Sequence, residues 1–203
     1  MSELKEKILN KASALMNQYG ISSVTMDDIA KECHISKRTL YEQIPDKRTL
    51  VWQCVLHRRK QHETEAKTLV CESSNTLDAL LHIYRYMREN MSNASSVFFK
   101  DMHRLYPDIE QQCQELHHEQ SKFFANFLMK GVEEGMFRED LNFVLATKAF
   151  IAQSTTIIKE FASSTDSKEM LRMVDTTFVI FLRGIATIKG VSIIDTFLKE
   201  NQI

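Results

Sequence analysis

Apolar residues recur along this chain every three or four positions, the period of an amphipathic helix. Leu4, Ile8, Ala12, Leu15 and Tyr19 mark a first helix over residues 3–19, capped by Ser2 and stopped by Gly20. Thr25 opens a second helix. Asp28 stands three residues on as an acidic capping box, and Ile29, Ala30 and Cys33 are apolar positions. His34-Ile35 make a turn, and Ser36 caps a short third helix from Lys37 to about Gln43. Pro45 ends it, because the residue before a proline is pushed out of the helical region. Asp46 caps a long fourth helix, 47–70. Its first half carries Leu50, Val51, Cys54, Val55 and Leu56, and its second half is polar from Arg58 onward. Further helices are expected at 75–91, 94–106, 108–134, 142–163 and 167–189, with a short one at 192–200. Asn75, Pro107, Gly135, Asn142 and Asp166 punctuate them.

The chain has 203 residues, with only five Gly and two Pro. So few turn residues exclude a sandwich or barrel, and an all-α fold is predicted. Three parts are expected: a three-helix domain at 1–46, a connecting helix at 47–70 and a helical body at 71–203. The four cysteines, Cys33, Cys54, Cys71 and Cys113, show no CxxC spacing and read as free thiols of a reducing cytoplasm. No apolar run approaches the roughly 18–20 residues of a membrane span. The start of the chain lacks the apolar stretch of a secretory signal.

Charge is unevenly spread. Residues 1–60 hold 11 Lys/Arg against 7 Asp/Glu, a net of +4, whereas the remainder is at -5. A basic head on an acidic body points to a polyanion at the head alone. The Thr25–Lys47 stretch has the parts of a helix-turn-helix. Ala30 permits close helix approach, Ile29, Ile35 and Leu40 fix the crossing, and Ser36 caps the second helix. Lys37, Arg38, Thr39 and Tyr41 supply donors on its outer face. An arginine there can read guanine, while Lys and Tyr hold phosphates.

In Gly20, Thr25, Asp28-Ile29-Ala30, Ser36, Thr39-Leu40-Tyr41, Lys47 and Leu50 the chain resembles the N-terminal domain of the TetR family of bacterial transcriptional regulators. Three positions depart from the family pattern. His34 stands for the usual turn glycine, Ile44 for an aromatic residue, and Arg38 for a small one. The Arg38 change blocks transfer of any known operator preference. The resemblance implies DNA contacts from Thr25, Ser36, Lys37, Arg38, Thr39, Tyr41 and Lys47. It also implies that helices 142–163 and 167–189 pair with a second copy, with Phe150, Ser154, Ile158, Phe178, Phe181 and Ile185 at the interface. It implies a body that binds a small-molecule effector, in a pocket drawn from Tyr84, Met87, Phe98, Met102, His103, Cys113, His117 and Phe123.

The resulting reading is a cytoplasmic, homodimeric, ligand-responsive regulator. It acts as a repressor on a palindromic operator, with no cofactor, no metal and no membrane partner. Cys113 and His117, four apart on one helix, are too few for a metal site. The chain has no glycine-rich phosphate loop and no nucleophile elbow, so an enzyme is not expected. An all-helical interaction adaptor without DNA binding is the alternative.

Overall fold

A computed structural model of the protein describes residues 2–92, 96–163 and 167–201; side chains are not described at 92, 96, 114, 117–122, 158–159, 161–163 and 167. The described residues form ten α-helices: α1 Glu3–Tyr19, α2 Met26–Glu32, α3 Lys37–Gln43, α4 Lys47–Glu72, α5 Thr76–Ser92, α6 Ser96–Leu105, α7 Pro107–Glu133, α8 Phe143–Ser163, α9 Ser167–Ile185 and α10 Ile188–Glu200. Asp166, expected as a breakpoint, lies outside the described residues.

The helices fall into two compact units. The first comprises Met1–Glu65 with Ala94–Glu110, and the second Ala66–Asn93 with Gln111–Ile203. Helix α6, assigned by sequence to the body, therefore clusters with the N-terminal helices. Helices α4 and α7 each run from one unit into the other.

The first unit packs Ile8, Leu9, Ala12, Met16, Ile21, Val24, Ile29, Ala30, Cys33, Leu40, Ile44, Leu50, Val51 and Cys54 into its core. The buried stripe of α1 is Ile8, Leu9, Ala12 and Met16. It is rotated from the expected one: Leu15 is half-buried and Tyr19 exposed. In α4 burial stops at Cys54, four residues before the change to polar residues at Arg58: Val55 is half-buried and Leu56 exposed. Burial pushes the Cys54 thiol up to about 11, so it behaves as an inert core group.

Gly20 ends α1 at a positive φ of 85°. A Cβ there would stand 2.6 Å from Val97 Cγ1 and 2.9 Å from Asp101 Oδ2, both on α6. The glycine thus provides the turn and also the close approach of α6. Beside it, the Ser22 backbone N–H donates to Asp101 Oδ2 at 2.7 Å.

The second unit is built on α8 against α9, with α5 and α10 against α9. Leu77, Leu80, Leu81, Tyr84, Leu128, Phe137, Phe143, Phe178, Leu182, Ile185 and Ile194 are in its core. The stretch expected as one helix to 189 breaks at Ala186-Thr187, without Gly or Pro. The peptide groups of 136–138 capture those of 185–187. Arg138 N donates to Ile185 O at 2.9 Å and Thr187 N to Met136 O at 3.0 Å. The Thr187 hydroxyl then accepts from Gly190 N at 3.2 Å and caps α10.

Gly190 sits where a Cβ would meet the Met136 carbonyl oxygen at 2.5 Å. That oxygen is held by Thr187 and has little freedom to yield. Gly190→Ala should therefore destabilise the protein by about 1–3 kcal/mol despite alanine's higher helix propensity. Urea unfolding checks the sign; a stabilised variant would show that the 136–138 loop gives way.

Candidate nucleic-acid interface

Helix α3 has seven residues, too few to persist alone. Its position is set by what surrounds it. The turn before it passes through His34 at φ 55°, so histidine takes the left-handed conformation for which the family pattern uses glycine. The Thr25 hydroxyl and the Asp28 carboxylate form a reciprocal capping box at the head of α2. The Thr25 hydroxyl donates to Asp28 Oδ2 at 2.6 Å, and these bonds hold the Asp28 carboxyl below its usual pKa. The Ser36 hydroxyl caps α3, accepting from Thr39 N at 3.0 Å. Ser36 Oγ and Thr39 Oγ1 are also hydrogen-bonded at 2.8 Å. Leu40 and Ile44 anchor the inner face at 0% exposure. Ile44 thus fills the core slot that the family pattern gives to an aromatic ring.

The outer face carries the expected donors. Lys37, Arg38 and Tyr41 are exposed and Thr39 is half-buried. Both cations have carboxylate partners. Lys37 Nζ pairs with Asp27 of α2. Arg38 Nε donates to Glu42 Oε1 at 2.9 Å, one helical turn on. Lys47, at the start of α4, is half-buried. Burial lowers its pKa against the opposing pull of the Asp101 and Asp28 carboxylates. Asp46 caps α4 through Thr49 N at 2.7 Å.

Helix α6 and the first turn of α7 add polar ties within this unit that the sequence reading missed. Arg48 pairs with Asp108. Asp101 is 4% exposed and pairs with Arg104 at 3.2 Å. Burial alone would raise the Asp101 pKa. The Ser22 N–H and hydroxyl, with Arg104, outweigh burial and leave it below its ordinary value.

The residues expected to line an effector pocket are divided between the two units. Phe98, Met102 and His103 lie on α6 within the first unit. His103 is exposed beside Glu110 at 2.8 Å, and Met102 is core. In the second unit Tyr84 stacks on Phe178 at 3.7 Å and donates its hydroxyl to Asp175. Arg88 clamps the same carboxylate at 2.8 and 3.1 Å. Met87 is exposed, Cys113 is half-buried, and Phe123 is 78% exposed. The His117 side chain lies outside those described. A surface groove of about 470 Å³ lies instead along Ala125, Met129, Asp140, Leu141, Asn142 and Val144, and none of the eight residues lines it. Among the described residues no group of three His, Cys, Asp or Glu could hold a metal ion. Nor is any described helix long and apolar enough to cross a membrane.

Of the residues expected at a dimer interface, Phe178 and Ile185 are buried in the chain's own core, and Phe150 and Phe181, half-buried, stack on each other against it at 4.4 Å. Ser154 donates its hydroxyl to Phe150 O, and the Ile158 side chain is outside those described. The exposed large apolar residues of α8 and α9, among those described, are Val144, Leu145, Met173 and Ile180.

The family model described as bacterial regulatory proteins, tetR family, matches residues 8–54, and that of the QacR-like protein C-terminal region matches 59–187. The chain belongs to the TetR family. Its helix-turn-helix is thus that of a DNA-binding transcription regulator. None of the curated proteins matches this sequence. Solved structures share the fold at low identity. The transcriptional regulator from Cytophaga hutchinsonii is 17% identical, with 89% of this chain and 97% of that one covered at a TM-score of 0.72. The fatty acid degradation regulator FadR of Bacillus halodurans is 13% identical, with 90% and 96% covered at 0.66. FadR of Thermus thermophilus, solved with lauroyl-CoA, is 18% identical, with 90% and 95% covered at 0.59.

Asp101→Ala should leave the Ser22 N–H without its acceptor and cost about 1–3 kcal/mol. The carboxyl's folded pKa is depressed, so its contribution is present above the ordinary carboxylate pKa of about 3.9 and is lost as pH falls through the folded value. Urea melts from pH 7 down to pH 3 should show wild type losing stability towards the variant at the acid end. Parallel curves throughout would remove Asp101 from this role.

Proposed function

We propose that this TetR-family regulator is a homodimeric repressor that binds a palindromic operator and releases it when a small molecule occupies its body. The observation that carries the DNA part is α3. It is capped, buried on one side by Leu40 and Ile44, and exposes Lys37, Arg38 and Tyr41 on the other. One recognition helix per chain implies paired half-sites, with major grooves about 34–36 Å apart. Selection from random duplex DNA tests this directly. Palindromic sites are expected, and isolated asymmetric half-sites would overturn the dimer geometry.

Support for a second copy comes from α8 and α9. Leu145 at 61% and Ile180 at 67% are too exposed and apolar for ordinary solvated positions. Leu145, Ala149, Ala152 and Thr156 form one exposed stripe on α8, and Met173, Thr176 and Ile180 another on α9. Small residues between the large ones allow close helix approach. Ile180→Asp should place a charge in that interface, convert the dimer to monomer in sedimentation and weaken operator binding. An unchanged dimer would move the interface elsewhere.

Within the head, Arg38 reads a base, while Lys47 and Tyr41 anchor phosphates. Arg38→Ala should relax sequence preference and cost about 1–3 kcal/mol of binding. Lys47→Ala should weaken all duplexes alike and reduce the salt slope by about one unit. Interchangeable effects on a panel of base-substituted sites would refute the assignment.

A further inference from the structure

We propose that Glu42 is a specificity-determining residue of the recognition helix: it positions Arg38 and itself reads a cytosine amino group; this rests on the DNA-binding reading of α3. The Arg38 side chain is 89% exposed and that of Glu42 56%, and they are joined at 2.9 Å. An exposed pair four residues apart on a helix adds little stability. The pair is therefore not explained by a need to hold α3 together, which the Ser36 cap and the buried Leu40 and Ile44 already do.

Its chemistry suits the major groove. Glu42 accepts the Nε–H of Arg38, leaving the terminal amino groups of the guanidinium free. Those groups match the O6 and N7 acceptors of guanine. A carboxylate accepts from the N4 amino group of cytosine. The Arg38–Glu42 unit thus presents donors beside an acceptor, complementary to guanine beside cytosine along the groove edge. The same carboxylate repels phosphate oxygens and competes with them for the guanidinium. Lys37 is likewise paired, with Asp27. The two cations that open the recognition helix thus each have a carboxylate neighbour, which lowers the positive potential that a phosphate would meet there. Glu42 makes the helix a selective reader at some expense in general affinity.

The test uses the full-length protein with Glu42→Gln and Glu42→Ala, and Glu133→Gln as a charge control outside the head. Wild type is first given random duplex DNA for selection. Each protein is then titrated with the selected site, its single-base variants and a scrambled duplex over a range of salt. The Glu42 variants should bind scrambled DNA more tightly, with a salt slope steeper by about one unit. The ratio of selected to scrambled affinity should fall about tenfold, with the loss concentrated at a C or G position. In an Arg38→Ala background the positional loss at guanine should vanish, because Glu42 acts there through Arg38. The control should match wild type. An unchanged ratio and slope in both Glu42 variants would overturn the proposal, as would an equal change in Glu133→Gln. Failure of wild type to select any duplex overturns the DNA reading itself together with this proposal, a result distinct from normal selection with an inert Glu42.

Discussion

The placement of a seven-residue helix is the constraint on which the rest depends. Helix α3 cannot hold its own conformation, since nucleation costs more than two turns of hydrogen bonds return. Leu40 and Ile44 press it onto the core, Ser36 supplies its first acceptor, and His34 bends the chain into it. Each of these acts on the backbone or the inner face. None uses the side chains at 37, 38, 41 or 42 as a principal anchor. The outer face is consequently free to vary with the DNA it must read.

That separation explains what was legible from sequence. Caps, turn residues and periodic apolar positions are local signals, and Ser2, Thr25, Asp28 and Ser36 all hold the caps their spacing implies. Even the left-handed histidine could be anticipated, because its position in the turn required positive φ. The buried stripe of α1 takes in Leu9 and Met16 rather than Leu15 and Tyr19, a choice that periodicity alone does not decide. The Arg38–Glu42 pair is implied by its spacing of four on a helix.

The remaining misses are long-range. The bond from Ser22 to Asp101 joins residues 79 apart in sequence, and no local pattern announces it. The break between α9 and α10 is imposed by peptide groups of the 136–138 loop, some fifty residues away. Aromatic positions at helical spacing were assigned to a pocket and an interface. Phe178 is in the chain's own core and half-buried Phe150 packs against it, because a spacing marks a face without saying what covers it.

The distribution of breakers also bears on how an effector could act. Helix α4 runs 26 residues with no Gly or Pro, so it has no obvious hinge. A body that changed state would shift α4 as a rod rather than bend it. Helix α6 is different: it ends at Leu105, just before Pro107 starts α7, and its Asp101 accepts from Ser22 N, while Arg48 of α4 pairs with Asp108 in the first turn of α7. An effector could change DNA affinity only through different affinity for two states of the protein, since coupling requires it. Polar bonds such as that from Ser22 N to Asp101 are directional and are lost over short displacements, so the place of α6 against the turn after α1 is set more narrowly than apolar packing alone would set it.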